Sequence, residues 1–165
     1  MTELEYHLAQ LNIARPAAPL DSARLADFVA GLEPVNALAD AAPGFVWRLK
    51  DGDGDGGGNA TSFEIYDDPM LLVNLSVWTS RQALWDFVYG DAHASFLRRR
   101  REFFEPMAEA YTVLWWMPAG RRPTVAEARE RLDRLREHGP SAFAFRLRDE
   151  HYPAPFAAAE ASLRK

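Results

Sequence analysis

The block from Asn74 to Gly120 constrains the fold of this chain more than any other segment. Alternating apolar residues at its two ends indicate β-strands, and apolar residues three and four positions apart between them indicate helix. Four of the chain's five tryptophans fall inside the block. It therefore predicts a strand–helix–strand unit that concentrates aromatic surface beside polar groups such as Asn74 and His93, which a plain core does not need.

The whole chain is predicted to be an α+β protein. The predicted strands are residues 6–13, 45–50, 71–77, 111–117 and 143–147, with a short extra strand over 61–66, and the predicted helices are residues 22–40, 80–105 and 124–138. The first six main elements give the order β-α-β-β-α-β, the ferredoxin-like plan, and an extra C-terminal α-β follows.

Helix caps mark several of these boundaries. Ser80 and Thr124 are residue types that cap helices, and Glu127, three residues after Thr124, predicts a capping box. Gly90 and Asp91 predict a break within the second helix, with Asp91 capping its continuation.

Length and charge exclude several classes of protein. The 165 residues predict one domain over 1–165, with a core at about 6–150 and a loosely docked tail over 151–165. The net charge of −5 argues against general nucleic-acid binding, and the absence of cysteine removes disulfides and thiolate chemistry. The N-terminus does not have a signal-peptide pattern and no apolar run predicts a membrane span, so we expect a cytoplasmic protein.

A run of aspartates and glycines follows the second predicted strand. Asp51, Asp53 and Asp55 match the opening of an EF-hand loop, but Ser62 occupies the twelfth position, where a calcium site needs a bidentate glutamate. The composition favours a solvated hairpin loop, and no metal site is predicted.

The third strand places polar side chains where a central strand is usually apolar. Leu72, Asn74, Ser76 and Trp78 share one face, and Asn12 and Arg48 of neighbouring strands are expected on the same face. This face is either solvated, part of a wet dimer interface, or the floor of a pocket.

His93 lies on an aromatic stripe of the second predicted helix. Residues at steps of three and four accompany it: Trp85, Tyr89, Phe96, Arg100 and Phe103 or Phe104. His93 is either a hydrogen-bonded core histidine or the acid, base or axial ligand at the mouth of an aromatic pocket. The four arginines Arg98–Arg101 fan around the helix, and Arg100 is the candidate for anion binding because it falls on the stripe.

Trp115 and Trp116 point to opposite faces of the fourth strand. Burying both requires cover on both sides of the sheet. Helices can cover one side and a second subunit the other, so the pair favours a homodimer.

Several motifs resemble the uncharacterised family catalogued as domain of unknown function 3291. They are His7–Ile13, Gly44–Leu49, Gly58–Thr61, Asn74–Trp78, Phe87–Tyr89 with His93, Leu114–Trp116 with Pro118–Gly120, and Gly139–Pro140 with Ala144–Phe145. The resemblance covers about residues 6–153. Phe103–Phe104 stands where the family pattern leads us to expect Trp-Phe, and the Asp-Gly loop is longer than expected.

The family is similar to the dimeric α+β barrel superfamily, in which two ferredoxin-like sheets face each other and helices cover the outer faces. That resemblance implies a homodimer with a ligand site between sheet and helices. Relatives include cofactor-free monooxygenases, haem-dependent enzymes and non-catalytic binding modules, so the resemblance implies no particular activity.

The sequence thus leaves three functions open. The leading one is binding, with cofactor-independent monooxygenase-like oxidation, of a small aromatic or polycyclic compound; the others are haem binding with His93 as axial ligand and non-catalytic ligand binding. His93 is the expected proton donor or acceptor. The expected ligand-binding residues are Arg48, Asn74, Ser76, Trp78, Trp85, Tyr89, Arg100 and Phe104.

Overall fold

The structure, a computed structural model, describes residues 5–50 and 64–149. Its strands are β1 (Tyr6–Ala14), β2 (Phe45–Arg48), β3 (Leu72–Trp78) and β4 (Thr112–Pro118). Its helices are α1 (Ala26–Asp40, preceded by a 3-10 turn at Ala23–Leu25), α2 (Arg81–Val88), α3 (Asp91–Arg98), α4 (Arg100–Phe103) and α5 (Val125–His138).

The four strands form one sheet in the order β2-β3-β1-β4, with every neighbouring pair antiparallel. This order, with α1 after β1 and α2–α4 between β3 and β4, confirms the predicted ferredoxin-like α+β fold. β1 is central and is buried on both faces, with Ala9, Leu11 and Ile13 on one face and Leu8 on the other, all fully buried.

One face of the sheet packs against α5. Alternate residues of the three longer strands, such as Leu11, Leu75 and Trp115, join Leu132 and Leu135 of α5 in one buried cluster. The opposite face packs against α1 and α2, where Leu8, Trp78 and Trp116 join Ala39 and Leu84 in a second buried cluster.

Both neighbouring tryptophans of β4 are buried by a single chain. Trp115 is fully buried under α5, where its Nε1 donates to Glu127 Oε1 at 3.3 Å, and Trp116 is 8% exposed on the opposite face. The cover expected from a second subunit is therefore supplied by α5. The tryptophan pair gives no support for a homodimer, which stays a prediction.

The predicted last strand over 143–147 is wrong in extent. Phe145 makes one bridge to Leu114, through backbone hydrogen bonds of 2.7 and 3.0 Å. A turn closed between Ser141 and Ala144 comes directly before it, and a turn from Arg146 to Asp149 directly after, so no extended run remains for a full ladder.

The predicted helix boundaries are mostly confirmed. Ser80 and Thr124 each accept a hydrogen bond at 3.1 Å from the backbone N–H three residues on, as N-caps do. Asp91 is not a cap, because Gly90 occupies the N-cap position and Asp91 begins α3. The predicted helix over 80–105 is divided at Gly90 and again at Arg99. α1 ends at Asp40, as predicted, and Pro34 lies inside it.

Some predictions fall on residues that the structure does not describe. The Asp-Gly loop and the tail over 151–165 lie outside the described residues, as does the first half of the short strand predicted over 61–66. In the described end of that segment, Ile65 bridges to Asp68.

Candidate functional site

A cavity of about 710 Å³ lies between the sheet and helices α1 and α3. It occupies the sheet face that carries Trp78, away from α5. Its volume is in the range of ordinary ligand pockets, roughly 300–1,000 Å³. The cavity is therefore large enough for a small organic molecule.

The floor of the cavity is formed by two polar rows that cross the strands. Strand register aligns Arg48 with Ser76 and Ser76 with Gln10 in one row. The second row aligns Asn74, Asn12 and Thr112 in the same way, and all six side chains line the cavity. The next row, Trp78, Leu8 and Trp116, is apolar, so the floor changes from polar to apolar along the strands.

A chain of hydrogen bonds fixes the first polar row. Trp78 Nε1 donates to Ser76 Oγ at 3.0 Å, and Ser76 Oγ donates to Gln10 Oε1 at 3.2 Å. Ser76 and Trp78 are buried, so each bond satisfies a polar group withdrawn from water. Because the oxygen of Gln10 is the acceptor, its NH₂ group is the end that a ligand can reach.

The second polar row contains one hydrogen bond between its own side chains and lies beside the opening of the cavity to solvent. Asn12 Nδ2 donates to Thr112 Oγ1 at 3.0 Å, which leaves the hydroxyl proton of Thr112 available to a ligand. Asn74 is exposed although it lines the cavity. The cavity therefore opens to solvent beside Asn74.

Arg48 is a buried cation on the cavity floor, and the carboxylate of Asp40 balances its charge. Its Nε donates to Asp40 Oδ1 at 2.7 Å and its Nη2 to Asp40 Oδ2 at 3.2 Å. This paired geometry at the end of α1 holds the guanidinium, which is 7% exposed. Arg48 is thus a positioned donor whose charge is largely balanced before any ligand arrives.

His93 lies in the first turn of α3 and lines the cavity. Its Nδ1 is 3.0 Å from the carbonyl oxygen of Val88, which can only accept, so Nδ1 carries the proton and Nε2 is the basic nitrogen of the neutral ring. Burial lowers the pKa of His93 below its ordinary value of 6.5, and the bond to Val88 opposes that effect. At neutral pH His93 is therefore an uncharged imidazole suited to accept a proton.

Aromatic rings form the apolar walls. Phe28 of α1 packs against Phe96 at 6.4 Å and Phe104 at 4.9 Å between ring centroids, and all three line the cavity. Near His93, the Phe87 ring lies 5.3 Å from the imidazole and stacks on Trp78. Phe103, the alternative stripe residue, is buried behind this wall and does not line the cavity.

The structure brings most of the predicted site residues together. Eight of the nine line the cavity: Arg48, Asn74, Ser76, Trp78, Tyr89, His93, Arg100 and Phe104. Trp85 does not line it, and lies under the guanidinium of Arg81, 5.2 Å from the ring centroid. Trp85 lies on α2 and His93 on α3, because the helix is divided at Gly90, so the two residues do not share one helix face.

Further residues line the cavity that were not predicted from the sequence, among them Gln10, Phe28, Tyr111 and Thr112. Gln10 had a usable signal, because it is two residues from Asn12 in an alternating strand and must share its face. Phe28 looked like an ordinary core residue of an amphipathic helix, and its role depends on how α1 crosses the sheet.

Neither a metal cluster nor a membrane helix is found in the described parts of the chain. In residues 5–50 and 64–149, no three His, Asp or Glu side chains are grouped to hold a metal ion. No helix among the same residues is long and apolar enough to cross a membrane.

The family assignment follows from the sequence match. The model of the family described as Domain of unknown function (DUF3291) matches residues 7–161. The chain belongs to this family. No curated protein matches the chain.

Solved structures with a similar arrangement are distant. PA3566 from Pseudomonas aeruginosa is 13% identical, with 71% of this chain and 97% of that chain covered and a TM-score of 0.45. A conserved protein from Methanosarcina mazei Go1 is 10% identical, with 68% and 91% covered and a TM-score of 0.47. SnoaB, a cofactor-independent oxygenase from Streptomyces nogalater, is 16% identical, with 72% and 95% covered and a TM-score of 0.44. Likenesses at this level say nothing about the substrate or reaction of this chain.

Proposed function

We propose that the cavity binds a small aromatic or polycyclic compound with an ionisable hydroxyl or carbonyl group, and that His93 takes its proton in a cofactor-independent oxidation by dioxygen. The observation that carries the proposal is the neutral His93, with Nδ1 tied to Val88 and its ring on the wall of a cavity with a polar floor.

The cavity suits a flat, mostly apolar ligand. Phe28, Phe96 and Phe104 offer ring faces and edges on the helix side, while Trp78 lies in the floor. Aromatic pairs in offset or edge-to-face contact gain about 0.5–1.5 kcal/mol beyond area burial. Such walls favour a ligand with fused or substituted rings.

The polar floor suits a ligand that becomes an anion. Removing a proton from a buried hydroxyl leaves a charge that is costly without donors. The NH₂ group of Gln10 and the buried guanidinium of Arg48 lie on the same floor row and can offset that cost. His93 then accepts the proton at Nε2, provided that the ligand presents its hydroxyl at that end.

Such an anion can reduce dioxygen without a cofactor when the substrate supplies all the electrons. With 1-naphthol, for example, deprotonation gives an electron-rich ring carbon that bonds to dioxygen, and loss of water from the hydroperoxide gives 1,4-naphthoquinone. One oxygen atom ends in the quinone and the other in water, so the balance needs no further reductant. The role of the protein is to orient the ring, hold the anion and move the proton.

The test is oxygen uptake by purified protein treated with a chelator and supplied with 1-naphthol alone. We expect uptake, with one labelled oxygen atom from ¹⁸O₂ in the quinone, for the wild type and for His138→Ala, whose histidine is exposed on α5. We expect His93→Ala to lose uptake while retaining its circular dichroism spectrum. Ligand binding without uptake would make the protein a non-catalytic binding module, and full activity of His93→Ala would remove His93 as the base.

A haem protein is the second candidate, favoured by the same bond between Nδ1 and Val88. Histidines that bind metals generally donate their other ring N–H to a carbonyl or carboxylate, which leaves Nε2 for the metal. Arg48 and Arg100 on the cavity lining suit the propionates of haem. A Soret band on adding haem to the wild type, absent with His93→Ala, would favour this candidate over cofactor-free oxidation.

A further inference from the structure

The charges on the cavity lining are unequal. Arginines contribute four cations, Arg48, Arg100, Arg146 and Arg148, against one carboxylate, Glu109. Glu109 is 71% exposed, and its carboxylate lies 3.4 Å from the guanidinium of Arg136 on α5. Glu109 therefore already has a cationic partner outside the cavity lining. In a chain with a net charge of −5, this cavity is locally basic.

Two of the four arginines are already neutralised and one is exposed. Asp40 holds Arg48, and Asp149 holds Arg146 through bonds of 2.9 and 3.1 Å. Arg148 is exposed to solvent, and an ion pair between a ligand and an exposed arginine contributes little binding free energy. Arg100 is half-buried and makes no ion pair with any carboxylate among residues 5–50 and 64–149.

The guanidinium of Arg100 is held in place by aromatic rings. It lies 4.3 Å from the centroid of Tyr111 and 5.6 Å from that of Phe104. Stacking of this kind occupies the flat face of a guanidinium, while its N–H groups point outward in the plane. Arg100 is therefore a positioned fork of donors on the lining, and a carboxylate is the group that matches such a fork.

Arg100 and His93 lie at opposite ends of the cavity. Tyr111, under Arg100, directly precedes Thr112, which belongs to the row of Asn12 and Asn74. His93 contacts Phe87, which stacks on Trp78 two floor rows away. Five residues of α3 separate His93 from Arg98, roughly 8 Å at 1.5 Å per residue, and α4 begins at Arg100 beyond the break at Arg99.

We propose that Arg100, with the hydroxyl of Thr112, forms an anion subsite, so that the ligand is an aromatic carboxylic acid whose acid group is about one naphthalene length from the hydroxyl presented to His93. The inference rests on the proposed function, since it names the class of compound that the same cavity takes. It makes Arg100 a specificity-determining residue and assigns it no chemistry.

The test compares two ligands that differ only in charge, 6-hydroxy-2-naphthoic acid and 6-hydroxy-2-naphthamide, by isothermal titration calorimetry at neutral pH. The proteins are the wild type, Arg100→Gln and Arg98→Gln. Arg98 is exposed at the end of α3, two residues before Arg100, and does not line the cavity, so its substitution makes the same change in net charge.

We expect the wild type and Arg98→Gln to bind the acid at least about tenfold more tightly than the amide, because hydrogen bonds to charged groups are the stronger kind. Arg100→Gln should bind both ligands equally, with the affinity for the amide unchanged, which also shows that the cavity is intact.

Equal affinity of the wild type for acid and amide would overturn the anion subsite while leaving the aromatic cavity in place. A loss of the acid's advantage in Arg98→Gln as large as in Arg100→Gln would also overturn it, because general charge would then explain the preference. Failure of the wild type to bind either ligand would overturn the proposed function itself, and this inference with it.

Discussion

At the scale of single residues, this site depends on which hydrogen bonds are already made. Trp78, Ser76 and Gln10 form a chain with a fixed direction, and Asn12 is committed to Thr112. The groups that remain free to bind a ligand are donors on the cavity floor, such as the NH₂ of Gln10 and the hydroxyl of Thr112, and the Nε2 of His93 on the cavity wall. The chemistry of the cavity follows from these remaining groups.

The protonation of His93 should be measurable directly. Because burial lowers the pKa of His93, an NMR titration of its ring should give a value below 6.5. A value above 6.5 for His93 would contradict the buried, neutral imidazole on which its role as a base depends.

The same shift makes stability depend on pH. Between the lowered folded-state pKa and the unfolded value of 6.5, the unfolded chain binds more protons, so the free energy of unfolding rises with pH in that window. The contribution of His93 is fully present above pH 6.5 and is lost as the pH falls through the folded-state pKa. Urea midpoints at pH 7.5 and 5.5 should differ less in His93→Asn than in the wild type.

Ser76→Ala should destabilise the fold through Trp78. The substitution leaves the buried indole N–H without its acceptor, a loss of about 1–3 kcal/mol. Urea unfolding measures it, and the same substitution in a Trp78→Phe background should cost clearly less because no indole N–H is left unpaired. Equal costs in both backgrounds would assign the effect to something other than this bond.

At the scale of elements, the close approach of α1 and α3 shapes the cavity wall. A Cβ added to Gly31 of α1 would lie 2.0 Å from the Cζ atom of Phe96, so α3 can place this ring only against a glycine. Phe96 also contacts Phe28 and Phe103, which limits where the ring can move.

The sign of the change in the free energy of unfolding caused by Gly31→Ala tests this packing. In the middle of a helix this change ordinarily stabilises by about 0.5–1 kcal/mol. Here the clash with Phe96 should cancel or reverse that gain, and in a Phe96→Ala background the gain should reappear. Thermal or urea unfolding of the four proteins measures the coupling; a gain of the same size in both backgrounds would contradict the described packing of α1 on α3.

Local sequence signals predicted the helices and strands better than the way in which these elements pack against one another. Alternation in β3 correctly placed Asn74, Ser76 and Trp78 on one face, and Ser80 and Thr124 were recognisable as caps because capping is a contact three residues long. The position of Trp85 could not be predicted in this way, since it depends on how the chain turns at Gly90. Gly31 carried no local signal at all, because its partner Phe96 lies 65 residues away in another helix.

At the scale of the whole molecule, one face of the sheet forms a closed core and the other face carries the cavity. α5 seals one face with an apolar cluster around Trp115, while α1 and α3 span the other without filling it. The sequence showed that both faces needed cover, but not that α5 would provide one of them, since that depends on where the chain goes after β4.

We expect ligands to bind on the sheet face of Trp78 and not on the face of Trp115. The most direct measurement is a ¹H–¹⁵N spectrum of the labelled chain titrated with 2-naphthol, in which indole and side-chain amide signals report both faces. We predict shifts at Trp78 Nε1–H and at the amides of Gln10 and Asn12, with Trp115 Nε1–H unchanged. Shifts centred on Trp115, or none at the floor of the cavity, would show that the ligand does not bind on the face of Trp78.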